Sequence, residues 1–290
     1  MLTAQRRIQI YNDQIAALDR LTPLLQKRVD MGASSPAEVA RARVAVDLVR
    51  TDRERAVTVQ SIARRELAIV MGVNVPDFSG VVGDLSRVGV PPVFQIVLKA
   101  IDINPQLMRW SAVWAQRDAE LLIARLKPIP DVQIFAGWRH FNQVWNGTTF
   151  ETNDNAVRLG LSVPLPVWDQ NLGGIEAARE SLSKVESERA SNRLALVLAL
   201  GRAYDTLIGA GREIELLRTS TIPNARTAVD GMENGYREGR YTLLELLDVE
   251  STSTQASLRE LDALLNFHIS VAIIEGLTGA PLKLTRGRRK

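Results

Sequence analysis

Along most of this chain apolar side chains recur at alternating steps of three and four residues, and in one stretch they recur at steps of two. From Ile8 through Tyr11, Ile15, Leu18, Leu25 and Val29, with Thr22 in the remaining place, the spacing predicts a helix that supercoils against neighbours. That helix stops at Gly32. Ser35 then supplies an N-cap, Pro36 a first helical residue and Glu38 an acid in the first turn, so a second helix follows at once. It carries Val39, Ala42, Val46 and Val49 on one stripe and ends near Gly72. Residues 73–93 have no helical period and are rich in Pro and Gly, as a linker is. Helix resumes at Phe94, restarts at Asn104–Pro105 and runs to about Arg125. After the period-two stretch, Ile175, Ala178, Leu182 and Val185 restore the helical spacing, which continues to about Gly235. Sixty residues of helix span about 90 Å, more than a globular domain of this size holds. A turn after Gly235 leads into a last helix with Leu258, Leu261 and Leu265 that ends near Gly279.

The period-two stretch lies between Pro128 and Gly174. Val132, Ile134, Ala136 and Trp138 alternate with Gln133, Phe135, Gly137 and Arg139; Val157, Leu159, Leu161 and Val163 alternate with Ala156, Arg158, Gly160 and Ser162. Each run is about ten residues, the reach of a tilted strand across a bilayer's hydrocarbon layer. Alternation alone also fits a soluble hairpin packed on helices. Trp138, Phe141, Trp145, Phe150 and Trp168 at the ends of the runs favour the membrane, where aromatic girdles mark the interfaces. Small and polar partners suit a wet lumen, and Pro164 and Pro166 stop the second strand. The longest uninterrupted apolar run, Leu194–Leu200, is far short of a membrane helix, so strands are expected to meet any lipid.

Composition narrows the function more than the fold. With 290 residues, 46% of them hydrophobic, the chain is long enough for one or two domains. It has no cysteine, which excludes disulfide and thiolate chemistry and suits the periplasm. His140 and His268 are isolated, and neither a phosphate-binding loop nor a nucleophile motif occurs, so no enzyme, metal site or cofactor is expected. The net charge is only +3, part of it in the basic tail at 285–290, and no nucleic-acid module is present. The opening residues already read as amphipathic helix, without a signal peptide.

The chain also repeats itself. The steps from Gly32 to Gly239, from Gly72 to Gly279 and from Glu38 to Glu245 are all 207 residues. The second copy has a helix and a hairpin ahead of its turn, whereas the first begins part-way down a helix. By that register about 110 residues, including a first hairpin, are expected before Met1.

Two helix-turn-helix copies, the wording Gly160-Leu-Ser-Val-Pro-Leu-Pro-Val-Trp-Asp-Gln-Asn-Leu-Gly-Gly-Ile175, the Asn104-Pro105-x-Leu107 helix start and the turn Gly235-Tyr-x-x-Gly239 with Leu243-Leu-Glu-Leu-Leu-Asp248 together resemble the TolC-type outer-membrane efflux channels. The Pro-Leu-Pro-x-aromatic-Asp-x-Asn-x-Gly wording is most similar to the branch that serves heavy-metal efflux. The resemblance implies a mainly α protein with a transmembrane β-hairpin, in which long coiled-coil helical hairpins form an α-barrel and the strands join a trimeric outer-membrane β-barrel. The corresponding division is 1–72 for an incomplete first helical hairpin, 73–93 for an equatorial linker, 94–127 for a helix of the second repeat, 128–174 for the β-hairpin, 175–284 for the second helical hairpin and 285–290 for the tail.

What the resemblance implies about function is a homotrimer in the outer membrane with a periplasmic extension. A periplasmic adaptor opens it, an inner-membrane pump supplies it, and small solutes, heavy-metal cations among them, leave passively. Glu38, Tyr236, Glu245 and Asp248 match gate and acidic-ring positions. Gly32, Ala33, Ser34, Gly239, Arg240 and Tyr241 match the tips that an adaptor contacts, and Trp138, Phe141, Trp145 and Trp168 match the membrane interface. The family's gate arginine falls on Tyr241, a departure from the pattern. Read without the resemblance, Glu38 is a carboxylate meeting a helix dipole, Glu245 and Asp248 a solvated face and Tyr236 ordinary packing. Two rival expectations follow: a truncated remnant of such a channel, without function, or a soluble coiled-coil scaffold.

Overall fold

A computed structural model describes residues 1–32, 34–144, 151–165 and 169–285, without the side chains of 141–144 and 151–154. Helices α1 (Leu2–Asp30) and α2 (Pro36–Val70) precede an extended segment, α3 (Phe94–Lys99), a 3-10 turn (Ala100–Ile103) and α4 (Pro105–Leu126). Strands β1 (Gln133–Val144) and β2 (Glu151–Ser162) follow. The chain ends with α5 (Leu172–Leu216), a π-helical turn (Leu217–Thr221), α6 (Ile222–Arg237) and α7 (Leu243–Thr278). The fold class is thus the expected one, mainly helical with one antiparallel strand pair. Two compact units form: residues 1–101 with 196–290, and residues 102–195.

Helix starts are set by local chemistry. The Ser35 hydroxyl accepts from the Ala37 amide at 3.2 Å and the Asn104 side chain from the Gln106 amide at 2.7 Å, each just ahead of a proline whose missing N–H costs nothing there. Thr242 does the same for α7, in a reciprocal box with Glu245.

In the first unit Leu18, Leu21 and Leu25 of α1, Val39, Ala42 and Val46 of α2 and Leu243 and Leu246 of α7 close around Tyr236. Leu25 and Leu246 lose all contact with solvent, worth about 1.5–3 kcal/mol each. The seam of α1 therefore passes through Leu21, with Thr22 only half-buried beside it. A second seam runs along α5 through Leu200, Ala203, Leu207, Ala210 and Ile214 to Leu217, keeping the three-four alternation. Beneath it lies α7, where Phe267 is fully buried and would touch any side chain placed at Gly211.

The extended segment before α3 is strapped to this unit. The Val90 and Thr285 amides and carbonyls bond reciprocally at 2.8 and 3.0 Å. The Tyr204 hydroxyl donates to the Pro92 carbonyl at 3.0 Å, and His268 Nε2 lies 3.0 Å from the Leu85 carbonyl oxygen. At the π-turn Arg218 reaches both Glu260 of α7, at 2.5 Å, and the Ser86 carbonyl, at 3.1 Å.

The helical stretches Leu172–Arg237 and Leu243–Thr278 each contain an 18-residue window of mean hydropathy 1.3, long and apolar enough by composition to cross a membrane. No uninterrupted apolar run in them is that long; scattered polar residues break the runs and still leave the average high. Only 22% and 39% of those windows are packed inside the chain.

In the second unit Trp114 Nε1 of α4 donates to Glu186 of α5 at 3.2 Å, and Arg193 grips Asp102 through two nitrogens at 2.8 and 3.3 Å. The Asn171 side chain donates to the Ala124 carbonyl at 2.9 Å, tying the start of α5 to the end of α4. The strands are 12 residues each rather than about ten. Their register pairs Ile134 with Leu161, Ala136 with Leu159 and Trp138 with Val157, so the apolar residues of both strands share one face. β2 ends at Ser162, two residues short of Pro164.

Candidate functional site

The two helix turns share their bounds and their left-handed glycine. α1 ends at Asp30 and α6 at Arg237, and α2 begins at Pro36 and α7 at Leu243, each pair 207 residues apart. Gly32 and Gly239 both take positive φ, +69° and +78°, and their amides bond back to Val29 and Tyr236 in the same way. A left-handed residue here lets each helix reverse within a few residues. Gly72 and Gly279 repeat the conformation at the far ends of α2 and α7, with φ +77° and +66°.

Tyr236 is the centre of the paired turns. Its ring is 1% exposed, and its backbone carbonyl accepts from Arg28 Nη1 at 2.9 Å. The Arg28 guanidinium also lies 4.9 Å from the ring centre, so one cation is held by a carbonyl and a π-face together. The phenolic oxygen is buried and makes no well-formed hydrogen bond among the described residues, the Ser34 hydroxyl being close enough to act on it. Burial pushes this hydroxyl above its ordinary pKa; Arg28 opposes the shift, the Glu38 carboxylate adds to it, and the Ser34 hydroxyl opposes it. Glu38, half-buried in the first turn of α2, accepts from the Ser34 hydroxyl at 3.1 Å.

The other acids are placed differently. The Glu245 carboxylate accepts from both the amide and the hydroxyl of Thr242, at 2.8 Å each, and those bonds, the backbone one first, hold it below the usual glutamate range. Asp248, one helical turn further on, is exposed. Arg240 pairs with Glu238, and its amide donates to the Gly235 carbonyl at 2.8 Å. Tyr241 stands where the family pattern has an arginine. One side of its ring lies against Gly235, so close that a Cβ there would come within 2.3 Å of it.

The structure thus gathers Ser34, Glu38 and Tyr236 with Arg28, assigns Glu245 to the start of α7 and leaves Asp248 facing outward. Arg28 was not foreseen; its one sequence signal is a basic residue in the last turn of a helix, which ordinarily answers the helix dipole. The Thr242–Glu245 box was readable as Thr-x-x-Glu ahead of an apolar run. Ala33, Trp145, Phe150 and Trp168 lie outside the described residues, as does the side chain of Phe141. Trp138 is 74% exposed, among Ile134, Val157, Leu159 and Leu161, which are exposed as well.

Against known proteins, the sequence pattern of the family described as "Outer membrane efflux protein" matches residues 97–280. The cobalt-zinc-cadmium resistance protein CzcC of Cupriavidus metallidurans is 24% identical over 279 residues, which is 96% of this chain and 65% of CzcC. Among solved structures, CusC superposes with a TM-score of 0.82 at 14% identity, covering 96% of this chain and 65% of that one. A membrane protein from Pseudomonas aeruginosa gives 0.81 at 16% identity, over 96% and 64%. The chain therefore spans just under two thirds of the length of these relatives, whose fold it shares.

Proposed function

This chain belongs to the outer membrane efflux protein family, and from that premise we propose that it is a subunit of a passive export channel in the outer membrane. In this reading three copies assemble around one pore, a periplasmic adaptor docks at the paired turns, and an inner-membrane pump delivers the solute. Heavy-metal cations are the proposed cargo, on the likeness to CzcC, itself described as a cobalt-zinc-cadmium resistance protein. No catalytic step is required of the chain.

The observation that carries the reading is the strand pair. Its face of Ile134, Trp138, Val157, Leu159 and Leu161 is exposed. An isolated two-stranded ribbon is marginal in water, and so much apolar surface needs lipid or another chain to cover it. The apolar windows of Leu172–Arg237 and Leu243–Thr278, mostly uncovered in the single chain, fit the same assembly, since neighbouring copies would cover what it leaves open. At the turns Asp248 and Glu245, repeated by symmetry, would form rings of like charge that concentrate cations. Glu38 and Tyr236 would sit behind them, holding the two turns together.

Purification with and without detergent, followed by native mass spectrometry, tests the assembly. A detergent-dependent trimer supports the reading. A stable monomer or dimer in detergent-free buffer would instead favour a soluble coiled-coil protein.

A further inference from the structure

The strand pair has a second face. Gln133 opposes Ser162, Phe135 opposes Gly160, Gly137 opposes Arg158 and Arg139 opposes Ala156. Gly160 leaves a gap that the Phe135 ring fills, so completely that a Cβ there would stand 2.1 Å from the ring's tip. On the same ring rests the Arg158 guanidinium, 5.1 Å from its centre. Glycine, ring and guanidinium form a stack that holds a long and otherwise flexible side chain against the strand. The charge it carries is permanent at any physiological pH.

Whatever covers the apolar face leaves this one to water, because strand side chains alternate. We infer that Arg158 is a charge-selecting residue of the channel wall: at its level the lumen favours anionic solutes or anionic complexes, opposite in sign to the carboxylates of the helix turns. The inference rests on the proposal that the strand pair is part of a membrane pore. Arg139 lies diagonally across from Arg158 on the same face. Asp154 shares that face too, opposite Phe141 and therefore diagonal to Arg139. Arg158 is further along the ribbon from that acid, and its position is fixed by the stack. The assignment is therefore made to Arg158.

The chain has no cysteine, so Ala156→Cys places a single thiol beside Arg158 and opposite Arg139. In reconstituted liposomes at low salt, the rate of labelling by a sulfonate-bearing methanethiosulfonate is divided by that of a trimethylammonium one, each normalised to a free thiol. Any change in thiol pKa affects both reagents and cancels in the ratio. The ratio is expected to exceed one and to fall about tenfold when Arg158→Gln is added, the size expected of one unit charge a few ångströms away in water. An unchanged ratio overturns the inference. Val157→Cys, on the apolar face, reads the membrane proposal separately. Protection there from both reagents supports it, whereas free reaction overturns the pore reading and the inference with it. An unchanged ratio at position 156 with position 157 protected overturns the inference alone.

Discussion

Tyr236 and Arg28 show what a single residue does at the turns. The arginine satisfies a carbonyl and a ring at once, while the phenolic hydroxyl is buried with no well-formed bond among the described residues. Arg28→Ala should therefore lower stability in urea by about 1–3 kcal/mol, the cost of a charge-assisted bond, although the Tyr236 carbonyl keeps its bond from the Gly239 amide. Tyr236→Phe should cost nothing or stabilise slightly. A comparable loss from Tyr236→Phe would show that the hydroxyl finds a partner on another copy. Two glutamates predict opposite pH slopes. Glu245 is held below its ordinary range by Thr242, so its contribution is present above that range and is lost as pH falls through the lowered value. Glu250 is raised, by burial first and then by Glu233 and Asp230 against Arg20, so its protonated form favours the fold and stability falls as pH rises through the raised value. Urea midpoints followed from pH 3 to 7 check both: Glu245→Gln should flatten the acid-side loss and Glu250→Gln the fall on the other side. Among these groups the sequence showed the carboxylates, Tyr236 and the local Thr242–Glu245 box but not the role of Arg28, because its contact with Tyr236 depends on which helix ends meet.

At the scale of elements, the turns depend on backbone that ordinary side chains resist. Gly32→Ala and Gly239→Ala, each at positive φ with open space around the added carbon, should each cost about 1–2 kcal/mol from strain alone. Gly231→Ala, inside α6 with equally open surroundings, should stabilise by about 0.5–1 kcal/mol. Urea titrations of the three variants check the contrast, and equal effects at all three positions would contradict the account of the turns. The elements were well legible: N-caps at Ser35 and Asn104 with prolines behind them, helix ends at the repeated glycines and two alternating strands. What was not legible is as informative. The π-turn at Leu217–Thr221 has no pattern of its own, since one extra residue in a helical turn leaves the seam on either side intact. The shift of the α1 seam to Leu21 depends on packing against α2 and α7.

For the whole molecule, the repeat is the organising fact. Turns, caps and left-handed glycines recur 207 residues apart, in structure as in sequence, and make two matched tips from one plan. The seam between them has no slack: Leu25→Ala or Leu246→Ala should cost about 2–5 kcal/mol in urea, since both sites are fully enclosed. The assembly, its gate acids and its partners go beyond what one chain displays, because they involve surfaces that other copies would complete. The membrane placement of the strands is the claim on which the rest depends, and a cysteine scan along 156–161 in reconstituted liposomes tests it most directly. With a water-soluble maleimide the account predicts reaction at positions 156 and 158 and protection at 157, 159 and 161, position 160 keeping the glycine on which Phe135 packs. Uniform reactivity along the strand would contradict it.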